Sequence, residues 1–414
     1  MKEYIRTQLA DPAKLEALYR SDKSHFKQAF NALYPEISED KIAQYWHARL
    51  NFNSPSSLWP MRQEVIFVLI VAIIAGFIVK LPAIFGINED FFYPRNLGFI
   101  VFPPLVAYFS WKNKLSWQHI GVMSLVFLAA VVFINYLPDN SKSNTLILSC
   151  IHLMVVLWAV LAAAFSAGAE DRNIARMAFL RYNGDLLVMG GLILTAGGLM
   201  SALTVGLFKV IGFQIDDFYF SNIVPVGLAA VPLVATCLIR LNPQLVGKVA
   251  PVIARLFSPL VLVMLIIYLG AMIFSGKDPY NDRDFLMIFN ALLIGVMALI
   301  FFSMSEAARQ GQKNWELWML FLLAMVTVLV NGIALSAIIF RIAEWGITPN
   351  RAAVLGSNTL MLVHLLWISW MFLQVLRRKK TSDSVSRVVA IYLPVYILWA
   401  VAVSFLFPLI FNFK

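Results

Sequence analysis

Hydrophobic positions form long continuous runs after a mostly polar first 60 residues. Each run holds about 20 apolar residues, the length that a helix needs to cross roughly 30 Å of hydrocarbon. The runs show no alternation of apolar and polar positions, so they predict helices and not the strands of a membrane barrel. The predicted spans are 63–85, 96–111, 117–137, 145–166, 185–210, 219–239, 252–274, 285–305, 315–340, 351–376 and 388–411. The pattern therefore predicts an all-α polytopic membrane protein with about eleven transmembrane helices. The span 96–111 is the weakest, because it is short and contains two prolines.

The first 60 residues have a different pattern, in which apolar residues recur at helical spacing between polar ones. Asp11 and Pro12 form a helix start, and we expect about three short amphipathic helices, the second ending before Pro35. The sequence thus divides into a cytoplasmic helical region, 1–60, and a transmembrane bundle, 61–414. The N-terminal region is interpreted either as a cap that only packs or as a docking surface for a cytoplasmic protein partner.

Composition agrees with this division. Hydrophobic residues make up 60% of the 414 residues, charged residues only 14%, and the mean hydropathy is +0.76. Soluble domains do not have this usage, which indicates an integral membrane protein.

Loop charges predict the orientation. With the N-terminus in the cytoplasm, 24 of the 33 lysines and arginines lie on the cytoplasmic side, and the whole net charge of +10 falls there. An odd number of spans then places the C-terminus in the periplasm. The positive charge is explained by topology and by anionic lipid of the inner leaflet, and nucleic-acid binding is not predicted.

Ionisable and amide side chains inside the apolar runs are the candidates for function, because hydrocarbon is a costly place for them. Lys80 and Lys209 follow series of small residues, so each either faces another helix or extends to the outer interface. His364 and Asn331 lie near the middle of their spans, and His152 lies two turns from the outside. These three could form a polar relay or contact a substrate, or could simply hydrogen-bond between helices.

Sequence signatures of metal, cofactor or catalytic sites are absent. No two histidines stand four residues apart, so neither a metal site nor a haem cofactor is predicted. The chain lacks the common hydrolase, metalloprotease and phosphate-loop motifs, which argues against an enzyme. The acidic stretch DPYNDRD, 278–284, is interpreted as a solvated outer turn.

Two stretches, YPRN at 93–96 and TPNR at 348–351, place an arginine just after a proline that is expected to begin a helix. A cation in the first turn of a helix is electrostatically disfavoured. One hypothesis is that each arginine pairs with an acid of its own loop, Glu89 or Asp90 for Arg95 and Glu344 for Arg351. The other is that arginine, helix dipole and the neighbouring Asn96 and Asn350 bind an anion.

The stretches NEDFFYPRNLGFIVFP, 88–103, and RIAEWGITPNRAAVLG, 341–356, resemble an uncharacterised family of bacterial multi-pass inner-membrane proteins. The resemblance covers most of the membrane region. It implies a bacterial inner membrane and a polytopic helical fold, and it implies no activity.

The sequence favours a transporter or translocator of an anionic small molecule or lipid, with an outward-facing basic pocket formed by Arg95, Asn96, Asn350, Arg351, Lys80 and Lys209. The alternative is a non-transporting sensor or assembly scaffold that acts through its N-terminal helices. A membrane-embedded transferase is the least favoured class. A carrier is expected to have a cavity lined by Lys80, Lys209 or His364.

Overall fold

A computed structural model describes residues 2–51, 58–140, 142–210, 212–241, 243–274, 280, 283–310 and 314–414. These residues form helices and turns, and the part of the chain so described contains no strand. The chain divides into two compact units, Met1–Gln63 and Glu64–Lys414. Of the stretch 278–284, Tyr280, Arg283 and Asp284 lie within the described residues.

The N-terminal unit contains four helices where three were expected: α1 Lys2–Thr7, α2 Pro12–Ser21, α3 Lys23–Ile37 and α4 Lys41–Asn51. Asp11 caps α2 by accepting from the backbone N–H of Ala13 and Lys14, as its position before Pro12 predicts. Helix α3 continues through Pro35, since a proline in the last turn removes only one hydrogen bond. Phe26, Phe30 and Trp46 form the centre of this unit's own apolar core.

The second unit is a bundle of long helices, and two of these contain a π-helical segment. They are α5 Leu58–Phe85, α6 Glu89–Lys112, α7 Trp117–Tyr136, α8 Asn144–Phe165, α9 Arg172–Val210, α10 Asp216–Phe218 with the π segment Tyr219–Ile223 and α11 Val224–Leu241, α12 Pro243–Phe274, α13 Arg283–Gln310, α14 Asn314–Trp345, α15 Pro349–Leu376, and α16 Ser382–Val401 with the π segment Ala402–Leu406 and α17 Phe407–Ile410.

Among the described residues, ten helices are long and apolar enough to cross a membrane, which supports a multi-pass membrane protein. Helix α6 is not among the ten, although the pattern predicted a span at 96–111. Half of its 24 residues are buried, and it packs against α7, α8 and α11. A helix that is enclosed by other helices need not present apolar side chains to lipid, which explains its lower hydropathy.

Helix α6 begins earlier than expected. Asn88 is the N-cap, Glu89 and Asp90 lie in the first turn, and Pro94 is inside the helix rather than at its first position. Arg95 therefore lies in the second turn, behind the two acids that the helix dipole favours. Helix α15 does begin as expected, with Pro349 at its start and the Thr348 side chain accepting from the N–H of Arg351.

The largest apolar core lies where α12 to α16 meet α9, and it includes Leu323, Ile368, Phe372 and Val389. Helices α14 and α15 form a closely packed antiparallel pair. The turn between them uses Gly346 at a φ of +74°, a conformation that glycine adopts without strain. This pair carries the polar side chains described next.

Candidate functional site: a polar cluster around α15

Polar side chains gather in the middle of α15 and on the helices that pack against it. We call this set the α15 polar cluster; its members are Asn290, Asn331, Ser357, Asn358, His364, Tyr392, Tyr396 and Trp399. His364 is 15 residues after the first residue of α15, about 22 Å along its axis at about 1.5 Å per residue. The cluster therefore lies well inside a helix long enough to span a membrane.

Three asparagines connect α13, α14 and α15 on one side of the cluster. The Asn331 side chain donates from Nδ2 to the backbone carbonyl of Asn358 at 3.1 Å. The Asn358 side chain donates from Nδ2 to Oδ1 of Asn290 at 2.9 Å. Asn331 and Asn358 are both fully enclosed, with exposed fractions of 0% and 1%.

His364 connects α15 to α16 on the other side. Its Nδ1 lies 3.0 Å from the hydroxyl of Tyr396, and its ring stacks on Tyr392 with centroids 4.2 Å apart. Tyr392 donates in turn to the backbone carbonyl of Leu360, one turn before the histidine. Trp399 donates from Nε1 to Oγ of Ser357 at 3.0 Å, so the contact between α15 and α16 is polar over several turns.

Two amide oxygens of the cluster have no hydrogen-bond partner within the described structure, Asn331 Oδ1 and Asn358 Oδ1, whereas the His364 ring also has a backbone hydrogen bond with Val388. Because the amide nitrogen of Asn331 donates to a carbonyl, the opposite atom must be an acceptor. Buried acceptors of this kind accept a hydrogen bond from water or from a proton-carrying ligand. The cluster can therefore hold a small hydrogen-bond donor in the middle of the bundle.

Arg95 is almost completely buried and is held by the loop between α7 and α8. Its Nη2 lies 3.2 Å from a carboxylate oxygen of Asp139, and its Nη1 donates to the carbonyl of Phe91. The Asp139 side chain is 70% exposed, whereas that of Arg95 is 3% exposed. The carboxylate that pairs with Arg95 thus comes from another loop, and among the described ion pairs none joins Arg95 to Glu89 or Asp90.

Asn96 faces α7, the helix that precedes the Asp139 loop, and forms a reciprocal amide pair with Asn135 of that helix. Each side chain donates to the other's oxygen at 2.9 Å. Each of the two amides both donates and accepts a hydrogen bond inside the protein, so this pair joins α6 to α7.

Arg351 is held by backbone carbonyls. Its Nη1 donates to the carbonyls of Trp345 at 2.9 Å and Gly346 at 2.7 Å, at the end of α14. The C-terminal end of a helix carries partial negative charge, so α14 offsets the unfavourable dipole of α15. No ion pair between Arg351 and Glu344 occurs in the described part of the chain.

The starts of α6 and α15 bond to the same segment around the start of α8. Arg95 binds Asp139, while Asn350 donates to the side chain of Asn144 at 2.7 Å. Both sequence stretches therefore act at one end of the bundle, through α8 as the shared neighbour.

Lys80 and Lys209 have different surroundings. Lys80 donates to the carbonyl of Ser221 at 2.9 Å, inside the first π-helical segment. A π-helical turn leaves a backbone carbonyl available, and Lys80 satisfies it. Lys209 lies exposed near the end of α9, with no hydrogen bond or ion pair to another described side chain. His152 lies on α8, where its Nδ1 bonds to the carbonyl of Leu148 within its own helix.

Sequence analysis missed three buried glutamates that are paired with cations at the ends of helices. Glu64 accepts from Lys112 at 2.6 Å and from the hydroxyl of Tyr108. Glu306 lies 3.7 Å from Arg181, and Glu316 lies 3.0 Å from Arg255. Each acid lies at or directly beside the end of a predicted span, where its position in the sequence does not distinguish a solvated acid from a buried one. Only the packing of helices shows that it is buried.

An apolar groove of about 560 Å³ lies where α7, α8 and α16 meet. Gln118 and His119 line one end, and Val126, Val156 and Ile397 lie among its apolar lining. None of the six basic-pocket candidates lines this groove, nor does His364.

No protein-family model, curated protein or solved structure matches this chain. Function must therefore be argued from the geometry alone. Among the described residues, no group of three histidine, cysteine or acidic side chains is arranged to hold a metal ion.

Proposed function

We propose that this protein is a membrane transporter or translocator of an anionic small molecule or lipid, and that the α15 polar cluster carries the accompanying proton or water. The observation that carries the proposal is the pair of buried, unpartnered amide oxygens, Asn331 Oδ1 and Asn358 Oδ1.

The free-energy cost of these atoms favours transport over simple packing. Each buried polar group without a partner costs about 1–3 kcal/mol. Polar side chains that serve only to join helices would satisfy all their hydrogen bonds, as Asn96 and Asn135 do. Polar residues kept inside a membrane bundle at such a cost are typical of substrate and proton pathways.

The anionic class of the substrate is supported by Arg95. Its Nε has no partner in the described structure, and its paired carboxylate belongs to an exposed side chain, Asp139. A substrate carboxylate or phosphate has the charge and geometry to exchange with Asp139 on the guanidinium. The arginines do not carry the proposal by themselves, since protein atoms already contact both of them.

Proteoliposomes that enclose a pH-sensitive dye test this function. The probes are inorganic phosphate, small carboxylates and a phosphatidylglycerol with a fluorescent headgroup, each added with an inward proton gradient. We expect at least one probe to cross faster than in protein-free liposomes and to bring protons with it. His364→Phe should lower that rate by about tenfold or more, while Trp370→Phe, on an exposed position of the same helix, should retain it. If every probe crosses at the protein-free rate, the proposal is wrong.

The second candidate is a sensor or assembly scaffold. It is favoured by the N-terminal unit, which has its own apolar core and also exposes Tyr4 and Tyr45. Deletion of residues 2–51 separates the two functions: a transporter should keep its flux in proteoliposomes, and a scaffold should lose its cellular phenotype.

A further inference from the structure

The groove between α7, α8 and α16 has a polar end and an apolar end. Gln118 and His119 lie in the first turn of α7. Val126 also lines the groove and is eight residues further along this helix, about 12 Å deeper at about 1.5 Å per residue. The groove thus begins at the level of the helix ends and continues toward the middle of the bundle.

Residues beside the polar end are typical of a membrane interface. Trp117 is 86% exposed, and Lys114 is exposed in the turn that precedes α7. Tryptophan and lysine are favoured at the level of lipid headgroups. The loop charges predict that this face of the protein is cytoplasmic, where anionic lipids are concentrated.

His119 is available for a polar contact at this level. Its Nδ1 lies 2.7 Å from Oγ of Ser116, and the side chain is otherwise exposed. The ring can therefore present Nε2 to a ligand while Ser116 holds it in place.

From this arrangement we infer that the groove binds a single anionic phospholipid. One acyl chain lies along the apolar part, against Val126, Val156 and Ile397, and the headgroup phosphate meets Lys114, Gln118 and His119. The volume of about 560 Å³ lies within the range of about 300–1,000 Å³ that is usual for sites of single small ligands.

This site does not depend on transport, since a bound lipid can be structural or can be the substrate. It differs from a general lipid-facing surface in a measurable way. A general surface exchanges all lipids alike, whereas the groove should retain an anionic lipid.

Photo-crosslinking tests the inference with the purified full-length protein in nanodiscs. The probes are phosphatidylglycerol and phosphatidylcholine, each with a diazirine in one acyl chain, and the labelled peptides are identified by mass spectrometry. Phosphatidylglycerol should label peptides of α7 and α8 several-fold more than phosphatidylcholine does. Ala159→Phe, which fills the groove, should remove this labelling, while Val132→Phe, on an exposed position of α7 outside the groove, should leave it unchanged.

Lys114→Gln provides a variant that leaves the apolar packing intact. It should lower phosphatidylglycerol labelling to the level of phosphatidylcholine. Equal labelling of the wild type and Ala159→Phe would overturn the inference, as would equal labelling by the two lipids.

Discussion

Arg95 and Arg351 show how an arginine close to a helix start is accommodated inside a membrane bundle. Arg95 is paired with a carboxylate that is 44 positions further along the chain, and Arg351 is bonded to the last carbonyls of the preceding helix. In both cases the negative group comes from another element of the same chain. The local acids Glu89, Asp90 and Glu344 make no ion pair with them in the described structure.

The Arg95–Asp139 pair predicts unequal effects of removing its two partners. Asp139→Ala leaves a buried guanidinium without its carboxylate, which should lower the free energy of unfolding by about 2 kcal/mol. Arg95→Met leaves an exposed carboxylate in water and should cost less. Thermal unfolding of the two variants in detergent measures the difference. A larger loss of stability for Arg95→Met would contradict the claim that the unpaired guanidinium costs more than the unpaired carboxylate.

The two lysines that sequence analysis grouped together should behave differently. Lys80→Met removes the donor to the Ser221 carbonyl and should destabilise the protein by about 1–2 kcal/mol. Lys209→Met should change stability by no more than about 0.5 kcal/mol, because the side chain is exposed. Hydrogen exchange of 216–230 should rise only in Lys80→Met, and equal exchange in both variants would contradict the role of Lys80 at the π-helical segment.

Individual residues could be selected from the sequence, but their partners could not. Asn331 and His364 were found because amides and histidines are costly in hydrocarbon. Asn358 and Asn290 were overlooked although the same rule applies to them, and they complete the hydrogen bonds of α13, α14 and α15. Such pairings depend on which helices become neighbours, and that information is not contained in the spacing of one apolar run.

At the scale of elements, hydropathy located the apolar centre of α6 but not its start. Residues 89–93 were expected to precede the helix, because Pro94 was expected to be its first residue. They are helical because neighbouring helices and the Asp139 loop provide partners. Caps are more readily predicted, since Asp11 and Thr348 act within one turn of their own helices.

The packing of α15 on α16 depends on Gly356. A Cβ atom at this position would overlap the ring of Trp399, the residue that donates to Ser357. Gly356→Ala should therefore destabilise the protein by about 1–3 kcal/mol. Gly191→Ala is the matched control, because no atom lies within 4 Å of its added Cβ, and its greater helix propensity should be neutral or stabilising. Equal melting temperatures for the two variants would contradict the close contact of α15 with α16.

The N-terminal helices contain a pH-dependent contact. Hydrogen bonds from Arg20 and then Arg49 hold the pKa of Glu16 below its usual value of 4.5. A carboxylate whose pKa is lowered in the folded state stabilises it above the unfolded pKa, and this contribution is lost as the pH falls through the folded pKa. Glu16→Gln should therefore increase hydrogen exchange of α2 and α4 at neutral pH, and the difference from wild type should vanish in acid. A difference that persists unchanged at low pH would assign the effect to another contact.

At the scale of the whole molecule, the alternation between polar loops and long apolar runs was sufficient to predict a multi-pass helical membrane protein. In the part of the chain that the structure describes, ten helices are long and apolar enough to cross a membrane. The orientation of the termini and the choice of the bacterial inner membrane remain predictions from loop charge and from the family resemblance. The interior of the bundle was less predictable, because helix neighbours separated by long stretches of sequence determine which polar groups are buried together.

The central claim is that the α15 polar cluster is reached by water, as a transport pathway requires, although Asn331, Asn358 and His364 are buried in the structure. The most direct measurement is the reaction of introduced cysteines with a water-soluble thiosulfonate after Cys150 and Cys237, the chain's own free cysteines, have been replaced. Only the thiolate reacts, and it forms only where water reaches the sulfur. Asn331→Cys and Asn358→Cys should be labelled, whereas Ala334→Cys, a buried core position on α14, should not. If both asparagine positions are as unreactive as Ala334→Cys, the cluster is dry and the transport proposal is contradicted.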